Sequence, residues 1–225
     1  MNNGHRNYDV LVIGGGPAGL AAAVTAKESG ARVAIVDDNP GLGGQIWRGE
    51  QRKPSTPEAA EWLWRVQAAQ VEFISGARVY DQPEAGVLLA ETFDGMLKLG
   101  YRKLILATGA RERFLPFPGW TLPGVAGAGG LQALVKSGLP IEGKTVVVAG
   151  TGPLLLAVAA YLRKRGAQVL LIAEQASQRK LFSFGLGLWR SPGKIIQAIQ
   201  LKRELAGIPH LTGCWPVAAN GDGQL

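Results

Sequence analysis

Short apolar blocks along the chain alternate with longer stretches of helical periodicity. Residues 10–13 form an apolar block typical of a buried strand, and residues 17–28 have the pattern of a helix that follows a glycine-rich turn. Gly30 predicts the end of that helix. Residues 32–36 predict a second buried strand, which ends at Asp37. This order of strand, turn, helix and strand predicts a β-α-β unit with two parallel strands.

The turn between the first strand and the helix has the pattern G-x-G-x-x-G, formed by Gly14, Gly16 and Gly19. In such a turn the first glycine permits the tight bend, the second leaves room for a pyrophosphate, and the third lets the helix lie close to the strand. The free N–H groups at the start of the helix then face the phosphates. Asp37 lies 18 residues after Gly19, near the spacing at which an acidic side chain meets a ribose hydroxyl. The pattern alone is common in glycine-rich loops, but these surroundings favour a dinucleotide site.

The opening unit recurs later in the chain. A shift of 136 residues places residues 10–38 on residues 146–174 without a gap, and 11 of the 29 positions are identical. An internal repeat of this length predicts a second β-α-β unit.

The second unit departs from the first at two positions that bear on ligand binding. Leu155 stands where the third glycine would be, and a leucine there should push the helix off the strand and narrow the phosphate cradle. Ala173 stands at the position of Asp37, with Glu174 one residue later. We therefore expect a degenerate site of NAD(P) type. Binding of another nucleotide, and a role as scaffold and subunit interface, both stay open.

Composition excludes several kinds of site. The one cysteine, Cys214, excludes an internal disulfide, a C-x-x-C redox pair and a cysteine-held iron–sulfur cluster within these residues. The two histidines, His5 and His210, leave almost no material for a His-based metal site or triad. We expect no metal site.

Charge and hydropathy narrow the class of partner. The net charge is +7, the cations occur as pairs without a single long basic run, and no nucleic-acid-reading motif accompanies them, so nucleic acid is not expected as a partner. The uncharged stretches at residues 119–135 and 146–162 fall short of the ~20 residues that cross a bilayer. We therefore expect a soluble cytoplasmic protein without a transmembrane segment, attachment to a membrane surface being left open.

Two further motifs resemble those of the pyridine nucleotide-disulfide oxidoreductases, flavoproteins with two dinucleotide-binding domains. An L-G-G motif follows the acid at residues 42–44, and an A-T-G motif at residues 107–109 ends an apolar strand. The resemblance implies that both motifs lie against FAD, so that FAD rather than NAD occupies the first domain. The redox cysteine of that family would fall at Ile46, and this departure removes dithiol chemistry.

One branch of the family shares longer runs with this chain. G-G-Q-I-W-R at residues 43–48 and the run at residues 107–120 resemble the FAD-containing alpha subunits of bacterial amine and amino-acid dehydrogenases, the branch of opine oxidase, hydrogen cyanide synthase and dye-linked L-proline dehydrogenase. Members of that branch continue well past this length. We therefore expect the chain to be an N-terminal portion.

The resulting expectation is an α/β protein with two domains. Residues 1–118 would form a Rossmann-like FAD-binding domain, incomplete at its C-terminal side, and residues 119–225 a second Rossmann-like β-α-β domain, degenerate and truncated. The candidate FAD-binding residues, with Val79 included because the resemblance implies that its backbone meets adenine, are Gly14, Gly16, Pro17, Ala18, Gly19, Asp37, Asp38, Gly43, Gly44, Gln45, Val79, Ala107, Thr108 and Gly109.

The resemblance implies an FAD-binding oxidoreductase subunit that works with a second, beta oxidoreductase subunit. A small amine or amino acid would supply electrons, which would pass through the flavin to an acceptor. The sequence predicts no catalytic acid–base pair. Two alternatives stay open: an NAD(P)H-dependent flavin reductase, and a non-catalytic assembly module.

Overall fold

The structure, a computed structural model, describes residues 4–49, 54 and 56–221. The chain forms two compact units, Met1–Arg111 and Glu112–Leu225. Each unit contains its own sheet. The domain boundary expected after residue 118 stays a prediction.

The first unit is built on a six-stranded sheet in the order β3-β2-β1-β6-β5-β4. Strand β1 pairs in parallel with β2 and β6, β2 pairs in parallel with β3, and β4, β5 and β6 are antiparallel neighbours. Two helices connect the parallel strands. The elements are β1 (Gly4–Ile13), α1 (Pro17–Glu28), β2 (Val33–Asp37), α2 (Pro57–Ala68), β3 (Glu72–Ser75), β4 (Arg78–Glu84), β5 (Val87–Thr92) and β6 (Gly95–Leu106).

The bounds of α1 agree with the prediction, but β1 is longer than expected from its apolar block. Its polar beginning is held by the main chain, because Gly4 to Tyr8 pair in register with Leu97 to Tyr101. Strand β6 is long for the same reason. Its first half pairs with β5 on one side while its length pairs with β1 on the other. A strand with neighbours on both sides does not need an apolar sequence throughout.

The core of the first unit lies on both faces of the sheet. Side chains alternate along a strand, so Leu11 and Val36 are buried on one face and Val12 and Ile35 on the other. Helix α1 covers the second face through residues such as Leu20. Every residue of β2 is buried, which explains its uninterrupted apolar sequence.

The second unit repeats the parallel part of the first. Its three strands are all parallel and lie in the order β7-β8-β9. No helix among the described residues is long and apolar enough to cross a membrane. The elements are α3 (Ala128–Lys136), β7 (Thr145–Gly150), α4 (Pro153–Lys164), β8 (Gln168–Glu174), α5 (Gln178–Gly187), a short 3-10 helix (Leu188–Arg190), α6 (Pro192–Glu204) and β9 (His210–Thr212).

Candidate functional site

The glycine turn between β1 and α1 is packed against main chain. Gly14 has φ +109°, a conformation that favours glycine, and a Cβ on it would overlap the carbonyl oxygen of Ala107. A Cβ on Gly19 would overlap the carbonyl oxygen of Gly14. Both positions therefore exclude any side chain, and the helix lies directly on the turn.

The second glycine of the turn has a different environment. A Cβ on Gly16 would have a single neighbouring atom within 4 Å, the Cα of Gly44 at 3.9 Å. Gly44 itself has φ +56°, and a Cβ on it would lie 2.8 Å from the Cα of Gly16. The L-G-G loop is fixed in this position by a 2.7 Å hydrogen bond from the N–H of Gly43 to the carbonyl of Gly15. The turn and the loop thus meet glycine to glycine, with open space over Gly16.

The A-T-G segment completes this group. The N–H of Ala107 donates to the carbonyl of Ile13 at 2.8 Å, which continues the pairing of β1 and β6 into the turn. Thr108 and Gly109 then lie exposed. Three motifs that are far apart in the sequence therefore meet at the carboxyl ends of β1 and β6, where ligands bind in open α/β sheets.

Asp37 closes the site on the β2 side. Its carboxylate is buried, with Oδ2 accepting from the N–H of Gly15 at 2.5 Å and Oδ1 accepting from the N–H and side-chain amide of Asn39 at 2.8 Å each. A carboxylate has about four acceptor positions, so one is left for a ligand hydroxyl. Asp38 is exposed, and its Oδ2 lies 3.7 Å from the Arg111 guanidinium.

The second unit places its acid differently from the sequence prediction. The pairing of β7 with β8 runs from Val146 opposite Val169 to Val147 opposite Leu171, so that Leu170 is an extra residue in β8. A bulge of this kind shifts the rest of the strand by one position. Glu174, not Ala173, consequently occupies the position of Asp37. The prediction was wrong because an alignment without gaps cannot contain a bulge.

The hydrogen bonds of Glu174 resemble those of Asp37, but in the glycine turn Glu174 is bound to Gly152, the counterpart of Gly16, whereas Asp37 is bound to Gly15. Its Oε2 accepts from the N–H of Gly152 at 3.1 Å, and its Oε1 accepts from the N–H of Ala176 at 2.9 Å. Glu174 is 3% exposed, compared with 8% for Asp37. The second unit therefore keeps an acid bound to its glycine turn.

The repeat continues into the third strand with an offset of 137 residues. Asp37 lies opposite Ser75 in the first unit, and Glu174 lies opposite Thr212 in the second. The connection that follows is also repeated, because Ala77 donates its N–H to the carbonyl of Asp37 as Cys214 does to that of Glu174. The two units thus share three parallel strands and the hydrogen bond that follows the third strand.

The turn itself is where the units differ. Gly152 precedes α4 with φ +94°, whereas Gly16 precedes α1 with φ −77°. Leu155 is buried in the core of the second unit, and its N–H donates to the carbonyl of Gly152 only three residues back. The leucine side chain is accommodated in the core, in a unit whose turn has another backbone conformation.

Residues 8–223 match the family model for the pyridine nucleotide-disulphide oxidoreductases. The matched range includes strands and helices of both units and the three motifs of the first site. The chain belongs to this family. The family resemblance predicted from the sequence is therefore confirmed, and so is the α/β class with Rossmann-type units.

Relatives of this chain include named subunits of larger enzymes. The chain is 33% identical over 229 residues to the HcnB subunit of hydrogen cyanide synthase from Pseudomonas protegens, covering 96% of this chain and 49% of the relative. It is 39% identical over 188 residues to the A subunit of opine oxidase from Agrobacterium tumefaciens, covering 75% of this chain and 37% of the relative. The chain thus spans about half or less of the length of these curated relatives.

Solved structures share the fold at lower identity. The thioredoxin reductase of T. acidophilum has a TM-score of 0.65 and 20% identity, with 97% of this chain and 68% of that chain covered. The L-proline dehydrogenase of P. horikoshii has a TM-score of 0.59 and 22% identity, with 74% and 36% covered. Identities this low show the fold of the family and nothing further.

Two residues of this candidate site were missed from the sequence. Asn39 holds both acidic side chains that precede it, since its amide donates to Asp37 and, at 2.9 Å, to Asp38. Arg48 donates from Nη2 to the Asn39 side-chain oxygen at 2.9 Å, while its Nε is buried without a hydrogen-bond partner. The sequence offered a signal for each residue. Asn39 directly follows two acidic residues, and Arg48 is the last residue of the G-G-Q-I-W-R run.

The other residues that the sequence predicted to bind FAD lie in α1, in the loop after β2 and in β4. Pro17 and Ala18 are the first two residues of α1, beside the open space over Gly16. Gln45 is exposed in the loop. Val79 is half-buried in β4, and its contact with adenine stays a prediction. Among the described residues, no group of three or more His, Cys, Asp or Glu side chains could hold a metal ion.

Proposed function

We propose that this chain is the FAD-binding subunit of a heteromeric amine or amino-acid dehydrogenase of the opine or proline type. Electrons would pass from the substrate through the flavin to an acceptor, and a second subunit would be its partner. The names of its relatives, the A subunit of opine oxidase and the alpha subunit of sarcosine oxidase, support this class of reaction. Redox chemistry would belong to the bound flavin, and the protein would hold and orient it.

The observation that carries the proposal is the bare main chain around Gly16. A pyrophosphate needs close approach to backbone N–H groups at the start of a helix, and the nearest atom to a Cβ on Gly16 is the Cα of Gly44 at 3.9 Å. Ala18 and Gly19, in the first turn of α1, have N–H groups without helical partners. The residues present therefore fit a dinucleotide diphosphate.

The adenosine end of FAD would lie toward Asp37 and Asp38. Asp37 has an acceptor position left for a ribose hydroxyl, and Asp38 borders an open cleft of about 330 Å³. Arg78 and the fully exposed Phe93 line the same cleft, and offer a cation and an aromatic face to a purine ring.

Absorbance spectroscopy tests the proposal. The purified chain, mixed with excess FAD and freed of unbound cofactor, should keep the two flavin absorption bands. Gly16→Val should lose them yet fold normally, because φ −77° suits valine and the site is open. Gly193→Val, another addition to open space, is the matched control and should keep the flavin. Absence of flavin from the wild type, even with the partner subunit present, would remove the proposal.

A second candidate is flavin reduction by NAD(P)H bound in the second unit. The position of Glu174 favours it, because an acid there can accept from a ribose hydroxyl. The FAD-loaded chain would then oxidise NADH or NADPH, and Glu174→Gln would slow that oxidation without changing the flavin content. No NAD(P)H oxidation by the loaded chain would leave the amine or amino acid as the electron donor.

A further inference from the structure

Helices α5 and α6, with the 3-10 helix between them, form a segment without a buried residue. We call this segment, residues 178–204, the basic helix pair. Most of its side chains are exposed, with only Leu181, Leu188 and Leu201 of intermediate burial. Helices of this length are marginal on their own, so a surface that covers them would stabilise them.

The charge of the chain is concentrated in this segment. Six cations lie between Glu174 and Glu204 without one acidic residue, while the rest of the chain is nearly balanced within a net charge of +7. Within the described part of the chain none of the six forms an ion pair. The six cations are Arg179, Lys180, Arg190, Lys194, Lys202 and Arg203.

Large apolar side chains are exposed among these cations. Phe182 and Trp189 are each 70% exposed. An exposed leucine in α5 and exposed isoleucines in α6 add to this apolar surface. The exposed large apolar residues of the segment are Phe182, Phe184, Leu186, Trp189, Ile195, Ile196 and Ile199.

Helix α6 has two apolar faces. Leu201, with Leu205 just after the helix, packs against the core of the second unit. Ile195, Ile196 and Ile199 have the spacing of one helical stripe, which lies on another side and is exposed. A helix that needed only to cover the core would have its polar residues there. The outer stripe therefore needs a different explanation.

We propose that the basic helix pair is a docking surface for an anionic phospholipid bilayer. Clusters of four to eight Lys and Arg with exposed Trp, Phe and Leu are typical of helices that lie in the headgroup region. The six cations, with no acidic residue among them, complement the negative surface of anionic headgroups. The mixture of these cations with exposed aromatic and aliphatic side chains fits a headgroup region, which is anionic outside and apolar beneath.

Vesicle co-flotation tests this surface. The wild type should float with phosphatidylcholine vesicles that contain phosphatidylglycerol and stay behind with phosphatidylcholine alone. Lys194→Gln/Lys202→Gln should lower partitioning about tenfold or more, because each cation near an anionic surface adds to binding. Lys103→Gln/Lys144→Gln removes two exposed cations elsewhere and should bind as the wild type does.

The apolar side chains are tested by Trp189→Gln/Ile196→Gln, which should also lower partitioning. Circular dichroism should show that each variant is folded, since these side chains contact solvent. The proposal is overturned if the wild type ignores anionic vesicles, binds neutral ones equally, or is unaffected by the lysine substitutions. A dimer in sedimentation that Trp189→Gln/Ile196→Gln dissociates would assign the surface to a second copy. A partner protein that binds at these lysines, while the wild type ignores anionic vesicles, would assign it to protein.

Discussion

The two β-α-β units of this chain share their strands and differ at the glycine turn. Asp37 and Glu174 take the same place at the end of the second strand, and each accepts from the main-chain N–H two residues later, but in the glycine turn Asp37 accepts from Gly15 and Glu174 from Gly152, the counterpart of Gly16. Both helices start after a glycine, but the third glycine of the first turn, Gly19, is replaced in the second unit by Leu155, which is buried in the core. The position of the acid therefore depends on the register of the second strand, whereas the shape of the glycine turn depends on how the helix packs. The acid can be kept while the turn changes.

The segments that follow Asp37 and Glu174 also differ between the two units. In the first unit residues 41–49 form a loop that contains the L-G-G motif, and Gly44 of this motif packs against Gly16. The offset of 137 residues puts α5 in the corresponding place of the second unit. A loop that completes the first site is thus replaced by a helix with exposed cations. In the second unit this segment forms part of the outer surface.

The largest effect should come from making the first turn resemble the second. Gly19→Leu puts a side chain where even a Cβ would overlap the carbonyl oxygen of Gly14. Because that contact is with backbone, the first unit cannot repack around it. We expect loss of its folded state and of all flavin binding, measured by circular dichroism and absorbance. A folded, flavin-containing variant would show that the helix need not lie close to the strand.

The reverse change should affect stability alone. Leu155→Ala removes a side chain that is 4% exposed and leaves a cavity in the core of the second unit. Such a change costs about 2–5 kcal/mol in free energy of unfolding, which urea denaturation measures. Flavin content should not change, because Leu155 lies in the other unit. Lower flavin affinity would mean that the two units do not act independently.

A smaller difference should separate the two acids. Asp37→Ala removes one charge-assisted hydrogen bond to the ribose and should weaken FAD binding by ~1.5–3 kcal/mol. Glu174→Ala makes the matched change in the second unit and should leave FAD affinity as in the wild type. Titration of the flavin-free protein with FAD, followed by fluorescence quenching, measures both. Equal effects of the two substitutions would contradict the placement of FAD in the first unit.

The glycine turn and Asp37 could be predicted because they depend on local sequence, whereas the places of the L-G-G and A-T-G motifs were predicted from the family resemblance. Gly14 and Gly16 are needed by the backbone itself, and the bounds of α1 follow from Pro17 at its start. The position of Glu174 could not be predicted, since the extra residue at Leu170 changes the pairing without changing the apolar pattern. Asn39 was missed although its contact with Asp37 is local, because the dinucleotide pattern gives that position no role, and Arg48 was missed because only the folded loop brings it to Asn39.

The smallest difference concerns pH at the opposite end of the paired strands. In the first unit the N–H of Arg32 donates to Asp9 Oδ2 at 2.9 Å, and this bond, with Arg102 nearby, holds the pKa of Asp9 below its usual 3.8. In the second unit the equivalent N–H, on Gln168, donates to the main-chain carbonyl of Lys144 at 2.8 Å, which does not titrate. The first unit alone should therefore lose this bond in acid.

The sign of the effect follows from the lowered pKa. A carboxyl group that is more acidic in the folded state stabilises the protein fully above about pH 3.8 and loses that contribution as pH falls through its folded pKa. The difference in unfolding free energy between the wild type and Asp9→Asn should thus be constant at neutral pH and shrink in acid. Its size should be small, because Asp9 is solvent-accessible and screened. Lys144→Gln keeps the main-chain acceptor and should show no such dependence, so a parallel pH profile in both variants would contradict the assignment.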